Sequence, residues 1–384
     1  MNLKTLPILL AFLLMGVADA MGPLSNAVGE NYQLSKVMAT LMPFAVFIAF
    51  AVFSVPGGWL AARIGKKPVL LLGLGLNTIA VAVPAFVAPP YALLLGCIFL
   101  LGVGTTFLQV AGNPIMRDVS APGNYSRNLA LAQGFKGIGS SASTYLPAVV
   151  GAIGLLAQLG WRGAFPIYFG LMAIAFVLVA IMRIDETKAD EPPGIIESLA
   201  LLRLPVFALA VVGIFLYVGA EVCMGTFLEP VLMDVGLTQD NAKLLGPTLF
   251  FGVLTVGRLV AGSININPHL FFRLSALLGL IGIGLVIAGS KPLIITGVVL
   301  GGLGFANIWP MLFSITVEEK PERASELSGL MCMAISGGAL VPLLMGQLID
   351  SKVATTLAFA VPAVCFLYLL ILSLRSGKAP AAAE

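Results

Sequence analysis

With 384 residues, 59% of them hydrophobic and only 10% charged, this chain cannot wrap its apolar residues in a polar surface as a water-soluble domain does. The formal charge of +3 contains no basic block, so nucleic acid is not an expected partner, and membrane lipid is the solvent that such an exterior fits. Cys97, Cys223, Cys332 and Cys365 lie inside apolar runs without ligand-like spacing, and His269 is the only histidine, which argues against a disulfide framework, a His-based metal site or His-dependent hydrolysis.

In chain order, apolar segments long enough for a bilayer fall near 5–27, 37–62, 68–88, 91–116, 129–157 and 161–183. The most polar stretch follows, Ile184 to Pro205, and a second set falls near 206–232, 245–264, 270–289, 292–316, 326–349 and 354–374. The expected architecture is an all-α membrane protein of twelve spans, numbered here as segments 1 to 12. Residues 1–183 form an N-terminal six-helix bundle, 184–205 a cytoplasmic linker, and 206–384 a C-terminal six-helix bundle. Ala18-Asp19-Ala20 behind Lys4 mimics a signal-peptide cleavage site, but apolar character continues to Leu24 and a span is the better reading. With the N-terminus inside, 14 of the 21 Lys and Arg residues fall in cytoplasmic loops and five outside, leaving Lys136 and Arg258 at spans. That predicts a multi-pass protein of a bacterial inner membrane with both termini cytoplasmic.

The halves repeat each other. Ala18-Asp19-Ala20-Met21-Gly22 in segment 1 parallels Ala220-Glu221-Val222-Cys223-Met224-Gly225 in segment 7. Pro147 with Gly151 in segment 5 parallels Pro342 with Gly346 in segment 11. Gly102, Gly104, Asn113 and Pro114 in segment 4 parallel Gly302, Gly304, Asn307 and Pro310 in segment 10. Duplicated halves are a hallmark of transporters that alternate access.

Ionisable side chains within spans are costly and are expected to face a cavity or a partner. Asp19 and Glu221 hold equivalent places and are read as proton-coupling carboxylates flanking one central cavity. Lys136 either contacts an anionic substrate or pairs with Asp19, whose protonation would then free it. Gln109 and Asn113 share one face of segment 4, Gln133 and Lys136 one face of segment 5, and Asn307 and Trp309 sit mid-span in segment 10. Amides that both donate and accept, beside a flat indole, suit a hydroxyl-rich ring. The competing reading is helix-to-helix hydrogen bonding. Between segments 2 and 3, Gly58, Arg63, Gly65 and Lys66 are read as a conformational latch, with basic groups engaging helix C-termini. Met21, Met224, Met331 and Met345 are soft donors, but without paired spacing no metal site is expected.

Gly58-Trp59-Leu60-Ala61-Ala62-Arg63-Ile64-Gly65-Lys66-Lys67 resembles the signature loop of the major facilitator superfamily, with Ala62 where an Asp is usual. Gln109-Val-Ala-Gly-Asn113-Pro114, Asn128-Leu-Ala-Leu-Ala-Gln133, Phe215-Leu-Tyr-Val-Gly-Ala-Glu221 and Trp309-Pro310-Met-Leu-Phe-Ser314 are similar to stretches of its fucose–galactose–glucose:proton symporter family. The resemblance implies sugar import by proton symport; Na⁺ is the alternative coupling ion, no cofactor is expected, and the carrier is read as a monomer. It also shows departures. Gln109 stands where fucose-type members have a segment 4 acid, and Lys136 stands where an Asn is common. A fixed cation would suit an acidic sugar. An exporter of drugs or metabolites on the same fold is the alternative function, and an intramembrane enzyme or sensor is a remote one.

Overall fold

The computed structural model describes residues 5–150, 154–187 and 194–375. Gly151 of the segment 5 repeat, linker residues 188–193 and both chain ends, with Lys4, lie outside them. Among the described residues the regular structure is helical, without strands. Ten helical stretches among the described residues are long and apolar enough to cross a membrane, and they coincide with segments 2–4 and 6–12.

Segments 1 and 5 complete the twelve, and each differs from a uniform apolar rod for a readable reason. Segment 1 is split into Leu6–Asp19 and Met21–Asn31, with the interruption at Ala20. Pro23 has no N–H to offer the carbonyl four residues earlier, which is that of Asp19. The sequence reading of one continuous span over 5–27 is corrected accordingly. Segment 5, Tyr125–Val150, is a single helix carrying Arg127, Asn128, Gln133, Lys136 and the polar run Ser140–Thr144. Segment 10 is likewise interrupted, Lys291–Ala306 followed by Ile308–Glu318, with Asn307 between them at φ −113°, ψ 2°.

The chain divides into two compact units. The first comprises Met1–Tyr125, Phe135–Ala200 and Lys320–Met333; the second comprises Ser126–Gly134, Leu201–Glu319 and Ala334–Glu384. The opening turns of segments 5 and 11 thus belong with the other half of the sequence. Within each unit, glycines bring equivalent helices to backbone contact. In the first, Gly139 of segment 5 lies against the Leu13 backbone of segment 1, and Gly73 of segment 3 against the Gly104 carbonyl of segment 4. In the second, Gly337 of segment 11 lies against the Phe215 backbone of segment 7, and Gly282 of segment 9 against Gly301 of segment 10. Segments 1 and 5 of the first unit and 7 and 11 of the second thus each meet at a glycine, as do 3 with 4 and 9 with 10. Lipid provides no hydrophobic drive between helices, so such close packing is a principal source of cohesion.

Prolines inside these helices leave carbonyls without an intrahelical donor, and at three of them a side chain from another helix serves the carbonyl. The Val110 carbonyl, four residues before Pro114, accepts from Ser328 Oγ at 2.7 Å. The Ser143 carbonyl, four before Pro147, accepts from Tyr168 Oη at 3.0 Å. The Ala306 carbonyl, four before Pro310, accepts from Arg258 Nε at 3.0 Å.

The Gly139 crossing predicts a sharp mutational asymmetry. Gly139→Val forces segments 1 and 5 apart and should destabilise the purified protein by about 3 kcal/mol, as overpacking does at the upper end. Gly96→Ala, where an added Cβ meets nothing within 4 Å, should leave the melting temperature unchanged or raise it slightly. Thermal unfolding in detergent checks both.

Candidate functional site

The interruption after Asp19 places that carboxylate at the last residue of its helix, rather than midway along a rod. Lys136 reaches it from segment 5, with Nζ 3.6 Å from Asp19 Oδ2. The same ammonium donates to Gln109 Oε1 of segment 4 at 3.3 Å. Glycine spacing makes the reach feasible: Gly139, three residues after Lys136, and Gly16, three before Asp19, are both crossing points of segments 1 and 5. The side chain of Asp19 is 42% exposed and that of Lys136 17%, so the carboxylate is the accessible partner. Three expected residues from three helices are therefore one cluster in the first unit, arranged as an acid, a base and an amide acceptor.

Asn113 lies one turn beyond Gln109, fully buried, with Nδ2 3.9 Å from Cys332 Sγ. Its carbonyl accepts from Tyr125 Oη at 3.1 Å. These are interior contacts beside Pro114. Gln133 is also buried, but belongs to the stretch of segment 5 assigned to the second unit.

The second unit holds a parallel arrangement. Glu221 Oε2 lies 3.7 Å from Arg258 Nη2, and the same nitrogen donates to Tyr217 Oη at 3.0 Å. Tyr217 and Glu221 are four apart and share one face of segment 7. Arg258 is only 7% exposed, so removing its carboxylate partner would leave a buried cation, a loss of about 3–5 kcal/mol. Sequence reasoning noted Arg258 near a span but gave it no role. The available signal was Pro310, which strips the Ala306 carbonyl of its donor and so calls for one from another helix.

Asn307 and Trp309 flank the interruption of segment 10, each 3% exposed. Asn307 Oδ1 and Trp309 Nε1 are buried without a hydrogen-bond partner among the described residues. Each such group costs about 1–3 kcal/mol when left unsatisfied. The indole stacks on Phe313 at 5.8 Å. One is an acceptor and the other a donor, and hydroxyl groups can serve either.

The residues read as a latch make separate contacts. Gly58 packs on the backbone of segment 11, where an added Cβ would lie 2.7 Å from the Ser325 carbonyl and 2.9 Å from Gly329 Cα. Gly65 turns the chain between Lys36–Ile64 and Lys66–Phe86 at φ +104°, a conformation open to glycine. Arg63 is exposed, its guanidinium 5.5 Å from the ring of Trp59. Lys66 is buried in an ion pair with Asp118 at 2.5 Å. Lys67 Nζ donates to the Ala180 and Met182 carbonyls, at the C-terminal end of segment 6. Ala62 cannot supply the acid usual at its place. Glu186 of the linker instead accepts from the backbone N–H groups of Lys66 and Lys67 at 2.6 and 2.9 Å, capping segment 3. Glu326, which the sequence did not single out, is buried and paired with Arg323 and Ser198 Oγ.

Residues 8–342 match the family model of the Major Facilitator Superfamily. A glucose/galactose transporter of Brucella abortus is 30% identical over 365 residues, covering 90% of this chain and 87% of that protein. An L-fucose-proton symporter of Haemophilus influenzae is 23% identical over 414 residues, covering 96% and 95%. A crystal structure of the fucose:proton symporter of Escherichia coli superposes with a TM-score of 0.85 at 19% identity, covering 98% of this chain and 100% of that one. The chain belongs to the major facilitator superfamily, among the relatives of its fucose–galactose–glucose:proton symporters.

Proposed function

We infer that this protein imports a neutral hexose or deoxyhexose together with a proton, by alternating access across a bacterial inner membrane. The observation that carries the reading is the Asp19–Lys136–Gln109 cluster. Gln109 cannot titrate, so a proton-driven cycle needs another acid, and Asp19 is exposed, paired and within one residue of a helix break. With Asp19 ionised, Lys136 is neutralised. When Asp19 takes a proton, the ion pair dissolves and the ammonium is left to Gln109 and to an incoming hydroxyl. Sugar and proton thereby bind together.

The relatives named for glucose, galactose and fucose favour a neutral cargo. At rest Lys136 has Asp19 and Arg258 has Glu221, and in the proposed cycle Lys136 loses its counter-charge only when Asp19 takes the proton. An acidic sugar remains an outcome of the test rather than the leading reading. A sugar hydroxyl both donates and accepts, which fits the needs of Asn307 Oδ1 and Trp309 Nε1. Basic-residue counting supports cytoplasmic termini, and in that orientation the Lys66–Asp118 and Glu186 contacts form the inner-face latch. A resident cofactor is not part of the proposal.

Proteoliposomes loaded with a pH dye test the coupling. Adding glucose, galactose or fucose outside should acidify the lumen; uptake that instead requires Na⁺ or survives collapse of the proton gradient overturns it. Asp19→Asn should abolish gradient-driven accumulation while retaining exchange of labelled for unlabelled sugar. Full accumulation by that variant removes Asp19 from the carrier role. Lys136→Ala should raise KM for neutral sugars by about tenfold, the equivalent of 1.4 kcal/mol. A loss confined to glucuronate or galacturonate would show instead that Lys136 reads an anion.

A further inference from the structure

Segment 10 carries a defect that its own sequence cannot repair. Pro310 has no N–H, so the carbonyl of Ala306 lacks its intrahelical donor, and the helix breaks at the next residue, Asn307. Arg258 of segment 8 supplies a donor, with Nε 3.0 Å from the Ala306 oxygen. The approach is built into the backbone. Gly257 precedes Arg258, and a Cβ there would come within 2.8 Å of Ala306 Cβ, so only a glycine lets segment 8 this close to the break. The residue on the other side is also fixed. Phe305 packs on Phe366 at 4.1 Å, Phe250 at 5.1 Å and Tyr217 at 6.0 Å. The far end of the guanidinium is held by Tyr217 Oη and Glu221 Oε2.

We propose that Arg258 is a positioning residue: its Nε–H replaces the missing N–H of Pro310, and so sets the break at Asn307 and the directions taken by Asn307 and Trp309. One rigid, planar side chain spans from the Glu221 carboxylate to the main chain of segment 10. A lysine brings the charge but only one nitrogen, which cannot serve the Ala306 carbonyl and the Tyr217–Glu221 pair from one place. Arg258 thereby joins the acid of segment 7 to the two orphan polar groups of segment 10 without itself touching cargo. The ligand part of this inference rests on the sugar-binding reading of Asn307 and Trp309; the hydrogen-bond replacement does not.

A double-mutant cycle tests the two parts separately. Melting temperatures are measured, without ligand, for the unmodified protein, R258K, P310A and R258K/P310A. An alanine at position 310 gives Ala306 its N–H back, so P310A should raise the melting temperature of R258K by more than it changes that of the unmodified protein. Equal effects of P310A in both backgrounds, or an R258K protein that melts like the parent, overturn the replacement. Should R258K yield no folded protein, recovery of folded protein in the double variant supports it and continued absence overturns it. In transport assays R258K should raise KM about tenfold, the scale of a slightly misplaced contact, with a smaller change in kcat, and the second substitution should restore part of the KM. A stability rescue with an unmoved KM would show a capped carbonyl and nothing more, ending the positioning role. A parent protein that moves no sugar would end the functional reading while the melting cycle still decides the replacement.

Discussion

Inside hydrocarbon a carbonyl that loses its donor finds no water, so a proline placed in a span leaves an oxygen that a donor from another helix can satisfy. In this chain three such donors sit beside polar residues. Ser328 serves Val110 next to Asn113 and Pro114, Tyr168 serves Ser143 in segment 5, and Arg258 serves Ala306 beside Asn307. Segment 1 follows the same logic, since Pro23 ends the first helix at the residue that carries the exposed carboxylate. Kinks and charges are linked because a kink exposes main-chain oxygen, and oxygen attracts donors.

The second constraint is charge. An ion within a span is tolerated when its counter-ion is at hand. Each unit meets that condition internally, with Asp19 against Lys136 in the first and Glu221 against Arg258 in the second. The two pairs differ in a way that separates their roles. Asp19 is the exposed member of its pair and ends a helix, which suits a group that exchanges protons. Arg258 is buried, with its guanidinium reaching Ala306, Tyr217 and Glu221, which suits a group that holds geometry.

Much of this was legible beforehand. Apolar run lengths located the spans, and glycine, proline and acid matches located the duplication, because helix crossings demand small residues at fixed places. The pairing of Asp19 with Lys136 was one of two readings open from the sequence, since each is a lone ion in an apolar span. What periodicity could not reach were contacts between helices far apart in the chain. Arg258 and Glu221 are on different segments, and nothing in either segment names the other. The breaks at Ala20 and Asn307 were missed because hydropathy is blind to hydrogen bonding, although Pro23 and Pro310 marked both. Glu186 was counted as linker, and its capping of Lys66 and Lys67 depends on a chain path that composition does not encode.

The claim on which the functional reading depends is that Asp19 carries one proton inward with each neutral sugar. The charge moved per sugar decides it most directly. Proteoliposomes at equal internal and external pH, given an inside-negative potassium diffusion potential, should take up hexose faster and carry one positive charge inward with each molecule. Uptake of the cargo that is indifferent to the potential, with no net charge per molecule, would mean that a neutral sugar moves without a proton or that an anion moves with one, and either would contradict the account.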